Sequence, residues 1–421
     1  MAQIALAPSL GRAVSLDGCR RLREDARFAA PGWRGARASS LWLLAGVYAG
    51  RRPVRASIAV EAGWHPGAED ADEAAPLPDE SNENDESSSY NDLGVHREML
   101  EDRVRTEAFR EAIFQTCQDK VVLEVGCGSG ILSVFAAQAG ARRVVAVEAD
   151  VEMAELAQEV VDGNGVDVNV LSGRVEEVAQ VVDQALDGQK VDVLISEWMG
   201  FMLVCEDMFR SVVFARDRWL AEGGQMLPRR CQLFAAPFSH MELVERQTGF
   251  WGSKPYGVDL SVLAFPALDQ HLCRPVIGSL TQQQLLSDGD LLFELDCQKA
   301  ARDAVRQRDC HFTAVVQHQG HFHGIAVWFD CELLAGLHFT TGPQGDPTHW
   351  EQTLLFLDPA SELMDMNLQQ GDEIAGELRW LVRGKDLGVV ILGEVSKKSK
   401  TYADDQSGPL KFGRRLVLNL I

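Results

Sequence analysis

A chain of 421 residues with 46% hydrophobic content is long enough for two or three domains, each with its own core. Its formal charge of −22 argues against direct binding of nucleic-acid phosphates and for basic partners, which an acidic surface attracts over long range. Nine cysteines without a CxxC pair argue for reduced thiols in the nucleus or cytoplasm, and against a disulfide framework or a metal site.

The charge is unevenly spread. Residues 1–60 carry ten arginines and three acidic residues, about +7, which leaves about −29 on the remainder. This Arg-rich, acid-poor stretch has the composition of an organelle transit peptide or of a disordered extension. Its apolar run, residues 41–49, is far shorter than the roughly 20 residues that span a bilayer, so no membrane segment is expected. Residues 61–89 turn acidic and polar, with the run DESNENDESSS, and read as a disordered linker.

From residue 90 to 118, Val95, Met99, Val104, Phe109, Ile113 and Phe114 recur at helical spacing and predict a helix. A β-branched run over 121–125 follows, then Gly126, Gly128 and Gly130 at spacing two, and an apolar helical pattern over 131–139. A second strand, 144–147, ends in Glu148. Strand, glycine turn, helix and strand with an acidic tip form a unit in which a ligand can approach the turn's backbone. The acid can then accept the two hydroxyls of a ribose. A dinucleotide fingerprint requires glycine where Ile131 stands, and Glu124 precedes the first glycine by two residues. The pattern E-x-G-x-G-x-G is similar to that of S-adenosylmethionine-dependent methyltransferases, with a nicotinamide cofactor as the alternative.

Further helical and strand patterns alternate: 153–164 helix, 168–171 strand, 178–186 helix or loop, 191–196 strand and 209–220 helix, before Gly223 and Gly224 break the pattern. The alternation predicts an α/β doubly wound, Rossmann-like methyltransferase domain over 90–227. Beyond Pro228 strands follow one another, at 231–236, 291–295, 311–317, 324–331, 350–357, 373–382 and 389–395, with no helix of comparable strength between them. They predict an all-β, barrel-like or sandwich domain over 228–421. Residues 241–263, with Phe250, Trp251 and Tyr256, have no place in the strand pattern and read as an arm that packs on another subunit.

Three further segments accompany the glycine turn in order: HREMLEDRVRT (96–106), SEWMGFMLVCEDM (196–208) and THWEQ (348–352). Together they resemble the protein arginine N-methyltransferases of type I, from about Tyr90 to the end of the chain. The phrases FWGSKPYGVDLS and HGIAVWF look closest to arginine methyltransferase six. The resemblance implies S-adenosyl-L-methionine as methyl donor, no metal, a homodimer, and Arg-rich protein substrates such as histone tails or RNA-binding proteins. It also implies asymmetric dimethylarginine as product and a place in histone methylation and chromatin regulation.

By the same resemblance Glu197 and Glu206 clamp the target guanidinium, and His349 pairs with Asp102 as an orienting residue or proton acceptor. His96 lies near the donor's methionine moiety, and Arg105 pairs its carboxylate. Gly126 and Gly128 lie against the donor, Glu148 binds its ribose and Glu176 its adenine, while Met99 and Met208 line the acceptor site. The physics fits the clamp: a guanidinium stays protonated, and two carboxylates would offset its charge and that of a sulfonium while aiming one nitrogen. Trp198, Met199 and Phe201 beside the glutamates argue against a freely solvated loop. Three departures stand out: Glu86 and Ser87 replace an aromatic pair, Cys205 an aromatic or histidine, and Phe201 a tyrosine. They leave a small-molecule methyltransferase or a catalytically weak scaffold of the same fold as rivals.

Overall fold

The computed structural model describes residues 92–383, 386–398 and 409–419. Tyr90, the positions of Glu86 and Ser87, the acidic linker and the Arg-rich extension lie outside the described residues. The helix predicted over 90–118 is two helices, α1 (Leu93–Glu101) and α2 (Arg103–Thr116), separated at Asp102, whose backbone is extended. An aspartate at such a break satisfies an otherwise unpaired amide of the next turn, and Asp102 accepts from Arg105 N at 3.0 Å. The break also re-aims the first helix, so that His96 is buried while Val95 is exposed.

The chain then alternates through β1 (Val121–Val125), α3 (Ile131–Gln138), β2 (Arg143–Glu148), α4 (Val151–Gly163), β3 (Asn169–Ser172), α5 (Ala179–Ala185), β4 (Val191–Ile195), α6 (Phe209–Trp219) and β5 (Leu220–Leu227). The five strands form one parallel sheet in the order β3-β2-β1-β4-β5. A parallel strand covered on both faces reads as a continuous apolar run, and all five residues of β1 are buried. The order reverses between β1 and β4, which opens a crevice at their carboxyl ends. The glycine turn leaves β1 there, and the hairpin carrying both glutamates leaves β4. Gly223 and Gly224 do not end the domain's pattern: they lie in β5, at the sheet's edge, where Gly223 is left-handed and the register with β4 shifts. An edge strand tolerates such a bulge.

The carboxyl-terminal half is antiparallel and β-rich. A first sheet combines β6 (Arg230–Phe238), β7 (Val276–Gly278), β8 (Asp290–Asp296), β11 (Gly324–Leu334), β12 (Leu337–Thr340) and β13 (Gln352–Phe356). A second combines β9 (Gln307–Val315), β15 (Glu373–Arg383), β16 (Asp386–Ser396) and β17 (Leu410–Asn419), while β10 (Gly320–His321) pairs with β14 (Asn367–Leu368). The sheets meet at both margins. Phe293 of β8 packs on Trp380 of β15, and Arg414 of β17 donates to Phe356 O at the end of β13. Contrary to the expectation of strands alone, the excursion after β6 is helical: α7 (Met241–Gly252) and α8 (Ala264–Leu272). Its exposed apolar positions had hidden a helical period, because Phe250 and Phe265 face outward while Leu243, Leu268 and Leu272 are buried.

One buried histidine makes this half sensitive to acid. His323 Nδ1 accepts from His240 N at 2.7 Å, and the rings of His321 and His323 stack at 6.0 Å. Burial, with His321 and His240 adding to it, holds the His323 imidazole down to about 4. The unfolded chain therefore binds the proton first as the pH falls below the ordinary value of 6.5. This group's contribution is complete above that pH and is lost on the way down to about 4, by up to ~3 kcal/mol. Urea unfolding at about pH 7 and pH 4.5 should show a large drop in the native protein and a shallower one in His323→Gln.

Candidate active site

Each side of the crevice is built by local sequence. On the β1 side, Gly126, Gly128 and Gly130 have φ of 72°, 49° and 78°, left-handed values that L side chains avoid. Space enforces the same choice at two of them. A Cβ on Gly126 would stand 2.2 Å from Met208 Cε, and one on Gly128 3.0 Å from His96 Cε1. Met208 and His96 thus flank the turn.

Glu148 caps β2 with both oxygens engaged: Oε2 accepts from Gly128 N at 2.7 Å and Oε1 from Asp150 N at 3.0 Å. Each oxygen keeps a lone pair for a ligand hydroxyl. Glu124 is 1% exposed and bonded to the Ser133 hydroxyl. Burial pushes its carboxyl up to about 8 against that bond, with Glu148 adding to the rise, so it is mostly neutral near pH 7. It braces the turn through Ser133 at the start of α3.

Further along, Glu176 Oε1 accepts from Ser211 Oγ at 2.9 Å, whereas Oε2 is buried with no hydrogen-bond partner among the described residues. A buried acceptor without a donor suits the exocyclic amino group of an adenine. The glycine cradle, the carboxylate at the β2 tip and this acceptor fit an adenosyl nucleoside.

On the β4 side, residues 196–207 fold into a tight hairpin. Ser196 Oγ donates to Val125 O at 2.8 Å and ties it to β1, and Gly200 N donates to Leu203 O at 3.2 Å. Met202, Leu203, Glu206 and Asp207 all have positive φ, a strain of order 1–3 kcal/mol each that only dense surroundings sustain. Those surroundings are present, for residues 202–205 are all at most 3% exposed. Gly200 is required at the closure, since a Cβ there would meet Cys205 O at 2.0 Å and Glu206 Oε1 at 2.9 Å. Burial, with Glu206 and Asp386 adding to it, pushes the Cys205 thiol up to about 12.

Glu197 already holds a guanidinium. Its Oε2 accepts from Arg105 Nε at 3.0 Å and Nη2 at 2.9 Å, and its Oε1 accepts from Met199 N at 3.2 Å. Both side chains are under 10% exposed, and a buried charge of either sign demands such a partner. Arg105, expected to pair a donor carboxylate, has two of its nitrogens bonded to Glu197 in this structure. Its Nη1 makes only long contacts, to Met99 O at 3.3 Å and Thr106 Oγ1 at 3.4 Å.

The β-rich half supplies the third wall. His349 donates to Asp102 Oδ2 from its backbone N at 3.0 Å, and its Nδ1 lies 2.7 Å from the same oxygen. Burial alone would raise the Asp102 carboxyl, but these bonds and the one from Arg105 N outweigh it and hold it below the usual range. An ionised Asp102 places the proton on His349 Nδ1 and leaves Nε2 as an acceptor. Trp350, its ring tilted against that of His349 with centroids 4.0 Å apart, donates through Nε1 to Met199 O at 2.8 Å and so joins this wall to the glutamate hairpin. Sequence reasoning missed this bond, and also the contact of Arg105 with Glu197. The tryptophan of THW was its only visible signal.

A parallel sheet with reversed order, a nucleoside cradle at the reversal and an acidic hairpin beside it define a class I methyltransferase followed by a β-rich domain. Residues 122–224 match the family described as "Methyltransferase domain", and residues 229–387 match "Arginine methyltransferase oligomerization subdomain". Protein arginine N-methyltransferase 1.1 of Arabidopsis thaliana is 37% identical, over 74% of this chain and 77% of its own. Protein arginine N-methyltransferase 6 of Danio rerio is 34% identical, over 75% and 91%. A Trypanosoma brucei PRMT1 enzyme–prozyme heterotetramer with AdoHcy superposes with a TM-score of 0.63 at 28% identity, covering 78% of this chain and 99% of that one. The chain belongs to the protein arginine N-methyltransferase family, and its methyl donor is S-adenosylmethionine. The similarity extends to relatives named arginine N-methyltransferase 1.1 as well as 6.

Two substitutions test this geometry. Gly126→Ala should lower affinity for adenosylhomocysteine by about tenfold or more, read by calorimetry, because the added methyl collides with Met208. Asp102→Ala should lower the thermal midpoint through loss of a helix cap, about 1 kcal/mol. It should also reduce turnover while leaving donor affinity within a few-fold, because it frees His349.

Proposed function

We propose that this chain is a type I protein arginine N-methyltransferase that forms monomethylarginine and then asymmetric dimethylarginine in Arg-rich proteins such as histone tails or RNA-binding proteins. The carrying observation is the bond between Glu197 and the Arg105 guanidinium: this carboxylate, fixed from behind by Met199 N, takes the chemical group that the substrate presents. Adenosylmethionine, when bound, supplies a methyl group on a cationic sulfur.

The chain's own residues do the rest. Glu197 and Glu206, carried on one strained hairpin, orient the substrate guanidinium and offset its charge. Positioning of this kind supplies about 7–11 kcal/mol in favourable cases. His349, oriented through Nδ1 by Asp102, receives the departing proton at Nε2. Arg105 serves through its remaining nitrogen, His96 and the glycine turn hold the donor's methionine end, and Glu148 and Glu176 hold ribose and adenine. Met99 and Met208 leave room for a second methyl group on the same nitrogen, where relatives forming the symmetric product place a phenylalanine at the Met99 position.

A homodimer formed through the arm follows from its exposed apolar side chains, among them Phe250, Tyr256 and Val262 at 57%, 101% and 65%. The match of this half to an oligomerization subdomain supports the same reading. The nucleus or cytoplasm is the proposed compartment, with organelle import as the alternative that the Arg-rich amino-terminal sequence raises.

Protein incubated with tritiated donor and an Arg-rich peptide should label the peptide, and mass spectrometry should identify asymmetric dimethylarginine. Glu197→Gln should abolish labelling and keep donor binding. Symmetric product, label in metabolites alone, or full activity of that variant would overturn the proposal.

A further inference from the structure

A cavity of about 230 Å³ opens in the β-rich half, and none of its walls belongs to the site described above. Pockets that enclose whole small-molecule ligands run from about 300 to 1,000 Å³, so this one suits a single side chain better than a cofactor. Its floor is β11. Trp328 and Asp330 are two apart on that strand and therefore project from the same face. Phe234, directly opposite on β6, stacks on the Trp328 ring at 6.1 Å and 15°.

Two polar atoms here have been removed from water without compensation. Trp328 is 3% exposed, and its Nε1–H has no hydrogen-bond partner among the described residues. Asp330 Oδ1 is likewise buried and unpartnered. An unmet buried polar group costs about 1–3 kcal/mol, and here two lie on one strand face beside a cavity. The surrounding chain is shaped to the indole: a Cβ on Gly289 would stand 2.4 Å from Cζ2, and one on Gly342 2.6 Å from Nε1.

The missing partner must bring an acceptor for the indole N–H and a donor for the carboxylate. Asp288, whose Oδ2 accepts from Gln317 Nε2 at 2.7 Å, adds a second acid to the wall, which His318 also lines but no lysine or arginine does. A planar cation with several N–H donors meets the acids and the aromatic pair, and a peptide carbonyl meets the indole. An arginine residue within a polypeptide carries both.

We infer that this pocket binds an arginine of the substrate protein other than the one being methylated. The inference rests on the proposed substrate class. Gln344, in the pocket wall, and His349, at the active site, are five residues apart on one loop, so their Cα atoms lie within about 18 Å. An extended substrate covers that distance in about five residues.

The test has two arms. In protein carrying Glu197→Gln, ¹H–¹⁵N spectra of the tryptophan indoles are titrated with N-acetyl-arginine-N-methylamide, the Trp328 signal being assigned by its loss in Trp328→Phe. A saturable shift of that signal, abolished by Asp330→Asn, is expected. No shift, or one unchanged by Asp330→Asn, overturns the pocket. Guanidinium chloride giving the same shift would show that the carbonyl plays no part and would overturn recognition of a polypeptide arginine. This arm reads the pocket whether or not the protein methylates peptides.

In the second arm, a peptide with another arginine about five residues from the target should have a KM about tenfold below that of its one-arginine counterpart. Trp328→Phe and Asp330→Asn should erase that advantage and leave kcat and the one-arginine KM alone. Equal KM values for the two peptides, or equal losses on both, overturn the role in substrate selection. Absence of all methylation would count against the proposed function, and the indole arm would then decide the pocket by itself.

Discussion

Asp102 receives hydrogen bonds from its own turn, Arg105 N at the start of α2, and from the backbone and ring of His349, 247 residues further along the chain. One residue thereby ends the first helix through its backbone N–H, and its carboxylate starts the second and fixes the β-rich half against the methyltransferase half. Its position decides where Arg105 points, because that side chain leaves the first turn of the helix Asp102 caps. It equally decides which imidazole nitrogen of His349 is available for chemistry. The charge that makes these bonds strong is preserved because they overcome the cost of burial.

The glutamate hairpin shows the opposite balance. Its backbone is locally unfavourable at four non-glycine positions, and it persists because apolar side chains on both sides leave no room to relax. The bond from Trp350 to Met199 adds a tether from the second domain. A carboxylate held this way has little freedom to lose on meeting a ligand, which is the physical content of preorganisation.

The parallel unit from β1 to β2 was legible because its signals are local: a β-branched run, left-handed glycines and an acidic strand end all lie within thirty residues. The residues of the site were legible for the same reason, each sitting in a short dense segment. What escaped the sequence depends on separation. The break at Asp102 interrupts an apolar period that runs smoothly through it, and its cause lies at residue 349. The arm's helices were hidden because their apolar residues are divided between a buried face and an exposed one. Strand β17, with Arg414 and Arg415 inside it, lacks the apolar continuity by which the other strands announce themselves. The commitment of Arg105 to Glu197 joins two segments whose charges alone could have found partners elsewhere.

Cys205 sits one residue before the second glutamate, in the part of the hairpin where an aromatic or a histidine was expected. Enclosed and surrounded by negative charge, its sulfur stays a thiol at any physiological pH. Electrophiles aimed at this hairpin will therefore find little nucleophile here, and alkylation of the whole protein will report, among the described cysteines, the exposed Cys273 first.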